Sequence, residues 1–205
     1  MAAFAIYTSA AAQRPFTEGT ITYHVVLNAA AHKEFNGTYT FTFKGMQVKK
    51  ELKLNNGYED VVLYNTGANT VYSLQNKYGR KYAIQLSMEE YLEKQEKFSG
   101  FTIAEEVEDG KAIAGYATKE GEVHYRNGTK TKIRYTAQWY APSVTFERFP
   151  NAKLLPLHFS YKDEHGLDMQ FEATKIEAGP MENSAFRIPG DYKIISYNEY
   201  KELSK

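Results

Sequence analysis

The chain has 205 residues, and its 25 Lys and Arg balance its 25 Asp and Glu, giving a formal net charge of zero. No global field therefore draws in polyanions or anionic surfaces, and nucleic acid is not expected as a partner. The absence of cysteine excludes disulfides, thiolate zinc sites, a cysteine nucleophile and a lipidated N-terminal cysteine. The 17 Tyr and 12 Phe favour strands, where large rings pack on a pleated surface and hold a core without covalent staples.

The first residues, MAAFAIYTSAAAQ, pass without charge from a short apolar run (Ala2 to Tyr7) into small residues before Gln13. This pattern resembles the tail of a secretory signal peptide cut after Ala12, although a positive n-region is missing. Residues 1–12 are therefore expected to be a leader remnant and 13–205 a single β-rich domain, exported to the periplasm or outer envelope. No segment approaches the roughly 18 apolar residues of a membrane-spanning helix, so no transmembrane span is expected.

From Thr20 the dominant period is two. Ile21, Tyr23, Val25 and Leu27 share one strand face; Tyr39, Phe41 and Phe43 then alternate with Thr38, Thr40 and Thr42. Further strands are expected at 46–54, 59–65, 70–75 and 80–86, separated by Gly-containing and Asn-containing turns, in the spacing of an antiparallel meander. Ser87-Met88-Glu89-Glu90 is a capping box. Behind it Met88, Tyr91, Leu92 and Gln95 fall on one stripe with Phe98 near its end, so a helix over 88–98 is expected to pack on a sheet until Ser99-Gly100 stops it.

Strands return at 101–107, before an expected acidic turn at Glu108-Asp109-Gly110, and at 116–125. Asn127-Gly128 predicts a two-residue type I′ hairpin, followed by a strand in which Ile133, Tyr135, Ala137 and Trp139 alternate with polar residues. Asn36-Gly37 is expected as a turn for the same reason. After a loop from Pro142 to Pro156 come Leu157, Phe159 and Tyr161, a turn at 163–166, a strand over 167–176, and a short C-terminal helix opened by the capping box Ser196-Tyr197-Asn198-Glu199.

The sequence carries little chemistry. The five histidines, His24, His32, His124, His158 and His165, have no metal-ligand spacing, and there is no G-x-S-x-G elbow, Ser-x-x-Lys pair, P-loop or G-x-G-x-x-G. The acidic stretch 105–110 lacks the alternating ligands of a calcium loop. Lys49, Lys50 and Lys53, like Lys130, Lys132 and Arg134, are expected on solvated faces. No catalytic residue, metal or cofactor is expected, and the chain is not expected to be an enzyme.

The stretch 110–125, with Ile113-Ala114-Gly115-Tyr116 at its centre, resembles a hairpin of bacterial envelope families that include the GLPGLI-type proteins. The segments 135–140, FPNAKLLPLHFSY (149–161), MQFEATKI (169–176) and FRIPGDY (186–192) resemble that family's later motifs in the same order. The chain departs from the pattern in having Ala-Lys-Leu where Gly is expected, and no cysteine follows Tyr116. These families are similar to the lipoprotein-carrier (LolA-like) superfamily. The resemblance implies a mainly β (α+β) fold: one strongly curved antiparallel sheet, an unclosed barrel, whose concave face is lidded near residues 87–98, with a short C-terminal helix.

The function implied is binding or carriage of an apolar or amphiphilic, lipid-like ligand between sheet and lid. Candidate pocket or lid residues are Met88, Tyr91, Leu92 and Phe98, with Tyr39, Phe41, Phe43, Tyr135 and Trp139 from the strands. The alternative is an envelope interaction or scaffolding protein that engages a protein partner and holds no small molecule. Aromatic strand faces also serve simply as core, so the two alternatives stay open at this point.

Overall fold

Period-two alternation carries through into almost every expected strand of the computed structural model, which describes residues 13–29, 33–77, 79–93, 95–142, 145–162 and 167–203. In chain order these are β1 (Arg14–Pro15), β2 (Glu18–Ala29), β3 (Lys33–Lys44), β4 (Gln47–Leu54), β5 (Glu59–Asn65), β6 (Thr70–Lys77) and β7 (Arg80–Ser87). A short helix α1 (Met88–Glu93) and a 3₁₀ turn at Glu96–Phe98 follow. Next come β8 (Thr102–Ile113), β9 (Tyr116–His124), β10 (Lys130–Thr136), β11 (Trp139–Tyr140), β12 (Leu155–Lys162) and β13 (Asp168–Ala178). A 3₁₀ turn at Asn183–Phe186 leads to β14 (Lys193–Ser196) and α2 (Tyr197–Glu202). The leader expectation for residues 1–12 and the turn at 163–166 lie outside the described residues.

Among the described residues, twelve strands form one sheet in the order β14-β7-β6-β5-β4-β3-β2-β13-β12-β10-β9-β8. Every pairing is antiparallel except that of β14 with β7, and β1 pairs separately with β11 in parallel. The sheet is curved but not closed, because its edge strands β14 and β8 do not pair with each other. Two meanders, β2 to β7 and β8 to β13, meet where β13 lies along β2 from Asp168↔Asn28 to Ala178↔Gly19. The link from β7 to β8 must therefore cross from one flank of the sheet to the other, and it carries α1 over the inner face.

That inner face is the main core. Ile21, Tyr23 and Val25 of β2, Phe41 and Phe43 of β3, Val48 of β4, Ile133 of β10, Leu157 and Phe159 of β12 and Phe171 of β13 are all buried in one cluster. Tyr23 stands at its centre: its ring packs edge-on against Phe41, Phe146 and Phe159, and its hydroxyl donates to the Pro156 carbonyl at 2.7 Å. Met88, Phe98 and the loop residues Phe146 and Phe149 close the cluster from above. A smaller cluster on the outer face, Leu63, Leu74 and Ala83, is covered by Ile188 and Tyr192 of the segment that leads to β14.

Five local expectations are corrected. The helix expected over 88–98 is shorter, ending at Glu93 and followed by a single 3₁₀ turn. Residues 108–110 are part of β8, with register shifts rather than a turn, and the reversal occurs at Ala114-Gly115, both at positive φ between the paired Ile113 and Tyr116. This two-residue connection is the type I′ turn that had been expected at Asn127-Gly128. There, only Gly128 has positive φ (82°); Gly128 N donates to Tyr125 O and Tyr125 N to Thr129 O, which makes a three-residue loop.

Asn36-Gly37 is not a turn but lies within β3, paired to Val26 and Val25. Glycine stands at 37 because a Cβ would meet the Lys53 carbonyl oxygen at 2.0 Å. The strand expected to run through Trp139 also ends early, at Thr136, and Trp139-Tyr140 instead pairs with Arg14-Pro15.

The two glycines should respond differently to a methyl group. Gly128→Ala meets open space and costs about 1 kcal/mol for its left-handed conformation, whereas Gly37→Ala forces two strands apart and costs more. Urea melts of the two variants measure the difference, and equal midpoints would contradict the packing described.

Candidate functional site

The strand β4 places Val48, Lys50, Leu52 and Leu54 in one inward row. Lys50 thus enters the core, and only 2% of its side chain is exposed. This corrects the expectation that Lys49, Lys50 and Lys53 share a solvated face: Lys49 and Lys53 do point outward and flank Glu51 at 3.3 Å each. The Lys50 ammonium donates to the Tyr91 hydroxyl at 2.8 Å and lies 3.6 Å from Glu147 Oε1. It also stands 5.4–5.9 Å from the ring centroids of Phe41, Tyr64 and Tyr91. The Tyr91 hydroxyl in turn donates to Glu147 Oε1 at 3.1 Å, so a relay runs from β4 through α1 to the loop after β11.

Burial pushes the Lys50 ammonium below its ordinary pKa, and the nearby Glu147 offsets this only in part. The reason is geometric: Glu147 is 52% exposed and its charge is screened by water, whereas Lys50 has lost its own hydration. Burial also raises the phenols of Tyr91 and Tyr64. Asp60 on β5 is raised as well, first by burial; the hydrogen bond from Gln75 Nε2 at 3.1 Å counteracts it, and Glu147 adds to the rise.

Two spaces adjoin this relay. One is a void of about 30 Å³ among Tyr39, Phe41, Lys50, Phe146, Phe159 and Phe171, room for about one water. The other is a cleft of about 380 Å³ between α1, α2 and the inner face of β5 to β7. Its floor is Val62, Val71, Ile84 and Leu86, its walls are Tyr91, Tyr197 and Tyr200, and Asp60, Ser73, Gln75, Glu90 and Glu147 supply polar groups. Both short helices beside it start from complete capping boxes, with Ser87 and Glu90 exchanging bonds at 2.8 and 3.1 Å, and Ser196 and Glu199 at 2.7 and 3.2 Å.

The residues expected at a pocket do not form one site. Tyr39 and Phe41 line the small void and Tyr91 lines the cleft. Met88 and Phe98 are buried in the main core, and Leu92 faces an outer groove with Glu89, Glu93 and Glu96. Phe43 and Trp139 both pack edge-on against Phe16, while Tyr135 borders a separate groove with Phe101 and Leu154. Gln95, expected on the lid stripe, is buried, and neither of its amide atoms has a partner among the described residues. Lys50, Asp60, Gln75 and Glu147 were missed, although the row Val48-Lys50-Leu52 carried the signal for Lys50.

No protein-family model and no curated protein sequence matches the chain. Solved structures similar to it include MucB, at 12% identity and a TM-score of 0.44 over 88% of this chain, which spans 61% of that one. The Pseudomonas aeruginosa MucA/MucB complex matches at 10% identity and a TM-score of 0.44, covering 86% of this chain and 58% of that one. A LolA superfamily protein from Nitrosomonas europaea is similar at 11% identity and a TM-score of 0.42, covering 86% of this chain and 93% of that one. No family model bears on the GLPGLI-type resemblance. At such identities and scores the likeness does not extend to function. No helix among the described residues is long and apolar enough to cross a membrane, and no group of three His, Asp or Glu among them is placed to hold a metal ion.

The relay makes a testable contrast. Tyr91→Phe keeps the ring but removes a partner of a buried ammonium, and should cost about 1–3 kcal/mol. Lys50→Met removes the buried charge and should leave stability near or above that of the wild type at pH 7. Because the folded-state pKa of Lys50 is depressed, the unfolded chain binds more protons between that value and about 10.4. Wild type therefore gains stability relative to Lys50→Met as pH rises from neutrality towards 10, and urea melts across that range should show it.

Proposed function

We propose that the chain is a non-enzymatic binding or carrier protein of the bacterial envelope that holds an apolar or amphiphilic, lipid-like ligand between its curved sheet and the short helices beside it. The observation that supports this most directly is the cleft of about 380 Å³ over β5 to β7, with an aliphatic floor and three tyrosine walls. Its volume suits a small ligand, and its lining sets four aliphatic side chains and three tyrosines beside five polar or charged groups, a mixture that fits an amphiphile. The aromatic centre around Tyr23 and Phe159, by contrast, is filled with its own side chains and serves as core.

The cleft is bounded by elements that differ in how firmly they are held. Strands β5 to β7 are paired along their lengths, whereas α1 and α2 have six residues each and depend on their caps and on tyrosine contacts. Gln95, which follows α1, is buried, and its side-chain amide has no hydrogen-bond partner among the described residues. A floor that stays rigid beneath a cover that moves is the arrangement a carrier needs to load and release.

A fluorescent apolar probe, N-phenyl-1-naphthylamine, should bind the wild-type chain with enhanced emission. Ser73→Trp places a large ring in the cleft and should weaken uptake about tenfold or more without loss of stability. Equal uptake by this variant would move the site elsewhere. A wild-type chain that bound no probe would leave an envelope interaction protein as the better description.

A further inference from the structure

We infer that residues 190–202, which carry β14 and α2, are the gate of the cleft: they swing off β7 as one unit while the sheet stays folded. This rests on the binding function proposed above and assigns the passage of ligand to the α2 side rather than to α1. The two covers of the cleft are held in different ways. On the α1 side Met88, Gln95 and Phe98 are buried, and the Tyr91 hydroxyl is bonded to Lys50 beneath it. Over residues 190–203 only Ile195 is buried. β14 holds β7 over just four residues, Lys193↔Tyr82 to Ser196↔Gln85, in a parallel ladder, the weaker of the two pairing geometries. The ion pair that adds to this contact, Lys81 with Asp191 at 2.6 Å, joins side chains 42% and 57% exposed, where water screens it.

The arm can move whole because its own bonds lie within it. The cap of α2 runs between Ser196 and Glu199, and Tyr197 and Tyr200 pack on the small cluster that Ile195 forms with Tyr82 and Ile84. Its root is fixed: Met181 N–H donates to Glu18 Oε1 at 2.9 Å, and the Met181 carbonyl accepts from Lys44 Nζ. Root and arm meet in a turn in which Tyr192 N–H donates to the Pro189 carbonyl at 3.1 Å. Opening bares part of the outer patch of Leu63, Leu74 and Ala83 that Ile188 and Tyr192 cover, and that apolar contact draws the arm back. Tyr197 and Tyr200 are two of the three tyrosine walls of the cleft, so the swing removes a wall while the floor of Val62, Val71, Ile84 and Leu86 stays in its ladders.

Hydrogen exchange read by mass spectrometry and a covalent tether test this together. On the wild-type chain, amides of 193–202 should be about tenfold or more less protected than those of β5 to β7, and saturating N-phenyl-1-naphthylamine should slow their exchange. Equal protection of arm and strands would overturn the inference. The chain has no cysteine, so Ala83→Cys with Ile194→Cys, at paired positions of β7 and β14, allows one disulfide that ties the arm down. In the oxidised form, probe association and dissociation should both slow about tenfold or more, and reduction should restore them. Unchanged rates in the bonded form would overturn the gate, return the passage to the α1 side and leave the binding function standing. If the bond did not form or the variant did not fold, the effect of the probe on arm exchange in the wild type would decide, and no effect would overturn the gate. A wild-type chain that bound no probe would remove the binding function, and the gate with it, however fast the arm exchanged.

Discussion

A sheet of twelve strands that places nearly all its large apolar residues on one face cannot leave that face in water. Curvature brings Tyr23, Phe41, Phe159 and Phe171 into contact across four different strands, so that they bury one another. The remaining apolar surface is covered by chain that has to cross the inner face anyway: the β7–β8 link with α1, and the loop from β11 to β12 with Phe146 and Phe149. Because β7 and β8 lie towards opposite flanks, the cover is a consequence of topology rather than an addition to it. The cleft remains where the cover is thinnest, over β5 to β7, and there α2 returns from β14 to form its second wall.

Lys50 connects the sheet to that cover. Its desolvation is a cost, offset by Tyr91, by Glu147 and by three ring faces, and each of these partners comes from a different part of the chain. Such a relay ties α1 and the Glu147 loop to the sheet. It also separates the filled side of the interior from the open side. On one side is a void for a single water among packed rings, and on the other a cleft with an aliphatic floor.

Much of the architecture was legible in the sequence. Alternation located β2 to β7 within a few residues, and both capping boxes formed, because these are local rules with one dominant physical cause. Turn chemistry was less transparent. An Asn-Gly pair marks a loop at 127–128 but sits inside β3 at 36–37, where close approach of the Lys53 carbonyl, not a positive φ, requires glycine. The type I′ turn instead uses Ala114-Gly115, with alanine at a position that glycine or asparagine usually fills.

The site was legible only in part. Tyr91 was selected from its helix stripe, but Asp60, Glu147 and the tyrosines of α2 converge through contacts between distant segments, which periodicity does not reveal. The most direct measurement of the central claim, that the cleft holds a ligand, is native mass spectrometry of the protein isolated from the cells that make it, before and after solvent extraction. A non-covalent adduct that extraction removes, and that Ser73→Trp fails to retain, is the expected result. A bare-chain mass in every preparation, together with a protein partner captured by crosslinking, would contradict it.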